Sequence, residues 1–128
     1  MRFLLAACLV AVASLTACVQ VPTAPVVPAN VAERPAEKAL VSGIHSYDDG
    51  LYPVAERQLD TALRSNLQSA RDRATAHKYL AFIYCTTNRN SECEASFRAA
   101  SQADPSFALN KAEVGHPLWG PVYKRIHP

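Results

Sequence analysis

Small and apolar residues recur every three or four positions along residues 38–104, which is the period of a helix with one buried face. The pattern stops at residues 48–50 (Asp-Asp-Gly) and at residues 88–90 (Asn-Arg-Asn), where Gly and Asn suit the left-handed backbone that ends many helices. The sequence therefore predicts four helices in two helix-turn-helix units. The periodic positions are Leu40, Ile44 and Tyr47; Ala55, Leu59 and Ala62; His77, Leu80, Ala81 and Tyr84; and Cys93, Phe97 and Ala100.

The two predicted units match each other at a constant offset of 38 residues. Gly43 corresponds to Ala81 and Ala55 to Cys93, so small residues fall where two helices would cross. The order of small and large residues resembles the tetratricopeptide repeat, whose usual period is about 34 residues. The additional residues fall around 68–73, where they lengthen either the linking turn or the third helix.

Residues 105–128 form a dense apolar segment that is broken by Pro and Gly and holds the only tryptophan, Trp119. Two repeats are fewer than the roughly three that a stack needs for stability. The segment is therefore predicted to cap the last helix, with an exposed docking motif at Trp119 as the alternative. The predicted fold class is all-α: tetratricopeptide-like hairpins over residues 38–104, followed by a C-terminal cap over residues 105–128.

The N-terminal residues 1–17 are typical of a signal peptide. Arg2 precedes thirteen almost wholly apolar residues, Phe3 to Leu15, whereas a membrane span needs about twenty. The next residues, Leu-Thr-Ala-Cys ending at Cys18, resemble a bacterial lipobox. This resemblance implies cleavage before Cys18 and lipidation of its thiol, and Val19 in place of Asp favours the inner leaflet of the outer membrane. An ordinary signal peptide with Cys18 merely nearby is the alternative.

Residues 18–37 are predicted to be a tether between the lipid and the domain. The prolines stand at positions 22, 25, 28 and 35, a pattern that favours an extended polyproline II form over a helix. Fifteen to twenty such residues would span about 50 Å at roughly 3.1 Å per residue. A leader without fixed form is the alternative, and neither interpretation indicates catalysis.

Charge and cysteine content narrow the function further. Thirteen basic and 11 acidic residues are interspersed, which predicts no nucleic-acid partner.

Cys8 leaves with the signal peptide and Cys18 carries lipid, so Cys85 and Cys93 are the remaining thiols. They lean toward each other across the predicted antiparallel pair, and an oxidising periplasm favours a disulfide between them. Two buried free thiols are the alternative.

No catalytic constellation is visible in the sequence. The histidines lack metal-ligand spacing, and no activated-serine elbow, phosphate loop or pair of carboxylates appears. We therefore predict no enzyme activity, metal, cofactor or small-molecule substrate. The four histidines are His45, His77, His116 and His127.

A binding surface is the remaining prediction for the folded domain. Tetratricopeptide-like hairpins bind peptides along the concave face that is lined by the first helix of each unit. The alternative is that Ile44 and Phe82 are core residues and that two units make too shallow a groove. By the 38-residue correspondence, the candidate partner-binding residues are Leu40, Ile44, Asp48, Lys78, Phe82 and Thr86, with Trp119 as a further candidate.

Four sequence elements together resemble the TssQ family, small lipoproteins associated with bacterial type VI secretion gene clusters. They are HKYLAFIYC at residues 77–85, Cys93 with Phe97, DPSF at residues 104–107 and GHPLWGPVY at residues 115–123. The resemblance implies a non-catalytic accessory envelope protein of a contractile secretion machine, acting by binding. Our hypothesis is a periplasmic scaffold that stabilises or positions the membrane-spanning part of the secretion complex. An envelope or peptidoglycan assembly lipoprotein with another protein partner, and a spacer without a specific ligand, remain alternatives.

Overall fold

The computed structural model describes residues 34–127, which are all-helical without a strand in that range. The predicted signal peptide, the lipidation of Cys18 and most of the predicted tether lie outside the described residues. None of the described helices is long and apolar enough to cross a membrane. The six helices are α1 (Pro35–Asp48), α2 (Tyr52–Arg64), α3 (Ala70–Thr86), α4 (Asn90–Ala103), α5 (Lys111–Val114) and α6 (Gly120–Ile126).

The first four helices form two antiparallel hairpins, α1 with α2 and α3 with α4, as the repeat predicts. Asp48 and Thr86 end the first helix of each hairpin, and Tyr52 and Asn90 begin the second, so the ends stay in the 38-residue register. The additional residues lengthen α3, which has 17 residues where α1 has 14.

Helix α1 begins earlier than the predicted domain boundary at residue 38. Pro35 occupies its first turn, and Ala36 and Glu37 are already buried. Proline is accommodated there because the first backbone N–H groups of a helix have no intrahelical partner. The boundary at residue 38 was wrong because Pro35 indicates the start of a helix as well as it indicates a tether.

Small residues allow the two helices of each hairpin to approach closely. A Cβ atom added at Gly43 would lie 2.8 Å from Cγ of Leu59, so a side chain there would have to displace Leu59. The turns contain Gly50 at φ 74° and Asn88 at φ 61°, as predicted from their tolerance of left-handed backbone. Asn66 at φ 65° follows α2 in the same way.

Two connected apolar clusters form the core. The first lies between the hairpins and holds the fully buried Leu59, Leu67 and Ile83. The second lies between the α3–α4 hairpin and the C-terminal segment, and it centres on Phe97 and Tyr123. The second cluster therefore joins the C-terminal segment to the repeats.

Helices α5 and α6 fold back on the α3–α4 hairpin and cover its open end. The Phe97 and Tyr123 rings meet at 5.4 Å between centroids, and the Tyr123 hydroxyl accepts the Leu109 backbone N–H at 3.2 Å. His127 lies within hydrogen-bond distance of Ser101, at 2.6 Å between Nε2 and Oγ. The C-terminal segment thus occupies the end where a third repeat would stack.

Gly120, the first residue of α6, provides a test of this packing. A Cβ atom there would overlap the carbonyl oxygen of Val114, and a backbone group cannot swing aside as a side chain can. We expect Gly120→Ala to lower the free energy of unfolding by about 1–3 kcal/mol, measured by urea denaturation. Gly115→Ala is the matched control, since its nearest contact would be an ordinary 3.5 Å. Equal stability of the two variants would contradict the close α5–α6 packing.

Candidate functional site

The predicted groove is largely closed, and two of its residues belong to the core. Leu40 is 6% exposed within the first cluster, and Phe82 is 3% exposed within the second. The prediction that these side chains contact a partner is therefore wrong. Correspondence between repeats assigns a residue to the concave side of a helix, but it does not reveal what covers that side.

Lys78 faces the concave side but already has partners. Its Nζ donates to a carboxylate oxygen of Glu113 at 2.7 Å, with both side chains mostly buried. The same ammonium lies 5.0 Å from the ring centroid of Tyr79 and 5.6 Å from that of Phe82, within cation–π range. Lys78 therefore ties α3 to α5 instead of offering a free charge to a partner.

Trp119 is buried by the fold, so its interpretation as an exposed docking motif is wrong. Its indole is 8% exposed and stacks on Phe82 at 4.2 Å between centroids. The indole Nε1–H donates to the Glu113 carbonyl oxygen at 2.9 Å, and the His116 ring stacks on the indole. Trp119 is the residue that seals the second hairpin on its concave side.

The remaining candidates differ in burial: Asp48 is exposed, whereas Ile44 and Thr86 are half-buried. Asp48 follows Tyr47, whose ring is part of a row. The half-buried rings of Tyr52, Tyr47 and Tyr79 follow one another, and we call these three residues the tyrosine strip. The Tyr47 centroid lies 5.6 Å from that of Tyr52 and 5.0 Å from that of Tyr79.

The strip continues the aromatic core out to the surface. Tyr79 lies 5.9 Å from Phe82, which in turn stacks on Trp119. The strip is therefore braced from beneath by rings that the cap holds in place. Such a row of half-exposed tyrosines offers apolar contact area together with hydroxyl groups, a combination that is frequent at protein interfaces.

Two phenols of the strip, those of Tyr47 and Tyr79, have raised pKa values. Burial raises the pKa of Tyr47 to about 12, with smaller contributions from Tyr52, Tyr79 and Asp48. Burial also raises the pKa of Tyr79, and Asp48 and Glu113 act in the same direction. Among the described residues no hydrogen-bond partner is found for the hydroxyls of Tyr47 and Tyr79. Both are therefore available as donors.

Sequence reasoning placed Tyr47 on a helix face and Tyr52 at a consensus position of the first repeat, but it assigned neither of them, nor Tyr79, to a binding surface. Tyr52 is the first residue of α2, and Tyr79 lies next to the groove position Lys78. One signal in the sequence could have indicated an aromatic cluster: all five tyrosines of the chain fall between residues 47 and 123. The three rings come together only because of the angles at which α1, α2 and α3 cross. The periodicity of a single helix contains no information about those angles.

A shallow polar cavity of about 210 Å³ lies between the first half of α3 and the segment after α4. Lys78 at its edge is paired with Glu113, and Asp104 accepts both the Oγ–H and N–H of Ser106, at 2.6 and 2.9 Å. These hydrogen bonds lower the pKa of Asp104. The polar groups here stabilise the chain reversal after α4. The cavity lining is Arg71, Ala74, Thr75, Lys78, Asp104, Ser106, Phe107 and Ala108.

The other titratable groups have structural surroundings. Burial lowers the pKa of His77 and raises that of Asp60. Arg89 bridges the hairpins by donating to Glu56 at 3.0 Å. Within residues 34–127, no group of three or more His, Cys, Asp or Glu side chains is placed to hold a metal ion.

Cys85 and Cys93 are joined by a disulfide in the structure. It links the last turn of α3 to the first turn of α4, and both cysteines are buried. Cys93 fills the close-crossing position that Ala55 fills in the first hairpin. The bond therefore fixes the hairpin on which the cap rests.

These features define a class: a small, disulfide-linked helical-repeat domain whose C-terminal end is closed by its own chain and whose concave side retains a tyrosine strip. Comparisons with protein-family models, with curated proteins and with solved structures return no match to this chain. The resemblance to the TssQ family stays a prediction.

Proposed function

We propose that this protein is a lipid-anchored envelope lipoprotein that acts as a non-catalytic scaffold or accessory subunit of a type VI secretion system. Its lipobox-like run ending at Cys18 and the proline-rich residues 18–33 support an anchored domain facing the periplasm from the outer membrane. The sequence elements at residues 77–85 and 115–123, which resemble the TssQ family, support the assignment to a type VI secretion system. The function is the binding of a protein partner, without a cofactor.

The tyrosine strip is the observation that carries the binding role. Of the other groove candidates, Lys78 is paired and Phe82 and Trp119 are buried, whereas the three rings of the strip stay half-exposed. Tyrosine gives large contact area at low cost in conformational entropy. Asp48 stands at the edge of the strip and is exposed, so it can be changed without disturbing the core.

Affinity purification of the full chain from native membranes tests this proposal. We expect the wild-type protein to recover membrane components of the secretion system. Asp48→Arg places a long cation beside the strip and is expected to reduce that recovery about tenfold, equivalent to about 1.4 kcal/mol of binding. Arg57→Glu, at an exposed position of α2, is the matched control and should leave recovery unchanged.

Other outcomes would contradict the secretion assignment in distinct ways. Recovery of a different envelope protein, lost in Asp48→Arg, would favour the envelope or peptidoglycan assembly alternative. Recovery of no consistent partner from membranes that contain the assembled machine would favour a spacer. Equal recovery by Asp48→Arg and Arg57→Glu would show that the partner binds away from the strip.

A further inference from the structure

We propose that the Cys85–Cys93 disulfide controls how firmly the two hairpins are joined. The bond closes the turn that carries Arg89, the residue that reaches across to the first hairpin. Thiol oxidation thereby sets the relative placement of the hairpins and of the rings of the tyrosine strip, which come from both hairpins. The inference concerns the folded domain alone and is independent of the secretion assignment.

The two hairpin turns share a backbone hydrogen bond, although only the second turn carries cysteines. In the first hairpin, the Leu51 N–H donates to the Ser46 carbonyl oxygen at 2.8 Å. In the second, 38 residues later, the Arg89 N–H donates to the Tyr84 carbonyl oxygen, also at 2.8 Å. The first turn adopts this form with a tyrosine and an alanine in place of the two cysteines. The backbone of the turn therefore does not need the disulfide, and the bond serves another purpose.

Arg89 forms a charged bridge from this turn to the first hairpin. It stands midway between the two cysteines, four residues from each. Its Nη1 donates to both carboxylate oxygens of Glu56 on α2, at 3.0 Å each, and its Nε donates to Glu92 at 3.3 Å. The guanidinium lies 4.2 Å from the ring centroid of Tyr84, within cation–π range. Leu51, the equivalent residue of the first turn, is uncharged and 51% exposed, so the bridge is specific to the turn with the disulfide.

The strength of such a bridge depends on how well its carrier is fixed. The side chains of Arg89 and Glu56 are 41% and 25% exposed. Partly exposed ion pairs contribute little when two long side chains must first be ordered, because the entropy cost offsets the attraction. The disulfide removes conformational freedom from the turn before the bridge forms, so less entropy remains to be lost. Breaking the bond therefore weakens the bridge although neither charge is removed.

The same register position joins the second hairpin to the cap. Glu94 lies 38 residues after Glu56, and it accepts a hydrogen bond from Arg125 of α6 at 3.2 Å. At both interfaces an arginine of the later element thus reaches back to a glutamate of the earlier one. Arg125 stands outside the turn that the disulfide closes, so this second bridge provides an internal comparison.

The bridge of the first interface lies close to the tyrosine strip. Glu56 follows Tyr52 by four residues, about one turn of α2. Within the strip, the hairpins meet where the ring of Tyr47 contacts that of Tyr79, at 5.0 Å between centroids. A change in the angle between the hairpins at the bridge therefore changes this aromatic contact.

A double-mutant cycle in two backgrounds tests the inference. Arg89→Gln and Glu56→Gln are made singly and together in the full chain, and the unfolding equilibrium is measured by urea denaturation. The second background is the disulfide-free variant Cys85→Ala with Cys93→Ala. We expect a coupling of about threefold in the unfolding equilibrium constant when the disulfide is present, as for a well-placed exposed ion pair, and no measurable coupling without it.

Reduction of the protein with dithiothreitol gives the same comparison without the cysteine substitutions. The dithiol supplies two electrons and two protons, so that the S–S bond becomes two thiols and the dithiol becomes a disulfide. The matched control is the cycle of Arg125→Gln with Glu94→Gln, whose coupling should be equal in both backgrounds. Loss of both couplings together would overturn the inference, since the disulfide would then act on the whole fold.

Nuclear Overhauser cross-peaks between the rings of Tyr47 and Tyr79 report the effect on the strip. We expect them to weaken both in the disulfide-free variant and in Arg89→Gln. Cross-peaks that stay unchanged in both would overturn the inference. So would an Arg89–Glu56 coupling that is equal with and without the disulfide, or that is absent from the oxidised protein. None of these measurements involves a secretion partner.

Discussion

Replacing Trp119 with alanine is expected to cost about 3–5 kcal/mol of unfolding free energy, the range for deleting a large buried aromatic side chain. The indole stacks on Phe82 and is covered by His116, and its Nε1–H donates to the Glu113 carbonyl oxygen. Alanine would leave a cavity between the cap and α3, and the Glu113 carbonyl oxygen would keep only backbone donors such as the His116 N–H. Small domains have total stabilities of about 5–15 kcal/mol, so the loss would be a large share.

Urea denaturation followed by far-ultraviolet circular dichroism measures this effect without relying on the fluorescence of the lost tryptophan. Leu118→Ala is the matched control, since the adjacent side chain is 49% exposed and its loss should change stability by less than about 0.5 kcal/mol. Equal unfolding midpoints for Trp119→Ala and Leu118→Ala would refute the role of the indole as the seal of the second hairpin.

The repeat could be predicted from sequence because its signals are local. Gly43, Ala55 and Cys93 are small at every close crossing, and left-handed turns need residues such as Gly50 and Asn88. Each signal concerns one helix face or one turn, and the constant offset of 38 makes the two units reinforce each other. The same locality explains the error at Pro35, which is compatible both with a tether and with the first turn of a helix.

Whether the groove stays open could not be predicted in the same way, because it depends on where the C-terminal segment packs. Lys78 and Phe82 hold the same register positions as Leu40 and Ile44, and nothing in that register shows that Glu113 and Trp119 will cover the second pair. The cap was expected from the shortage of repeats, but the helices that it contacts are set by long-range packing. The tyrosine strip was missed for the same reason, since three helices contribute to it.

The cap also changes what the concave side can bind. A longer repeat protein can accommodate an extended ligand along several helices, whereas this domain seals its second hairpin with its own chain. The aromatic surface left half-exposed at the junction of α1, α2 and α3 is therefore short. It would fit a single turn or a few residues of a ligand.

Removing the Cys85–Cys93 disulfide is expected to cost about 2–3 kcal/mol, because the bond constrains the unfolded chain over a short loop. Its ends are eight positions apart. The variant that removes the bond with least disturbance of the core is Cys85→Ala with Cys93→Ala. Ala55 occupies the position equivalent to Cys93, and no polar group is introduced. Phe97 and Phe82, which belong to the same cluster, would stay in place.

Urea denaturation with and without a reductant separates the bond from the side chains. Reductant should shift the wild-type midpoint to a lower urea concentration and leave the double alanine variant where it is. Quantifying thiols in denatured protein kept free of reductant should detect neither Cys85 nor Cys93. If reductant leaves the wild-type unfolding midpoint unchanged, or if two reactive thiols are found at these positions, the bond does not form. The second hairpin, and with it the rings beneath the tyrosine strip, would then be held by packing alone.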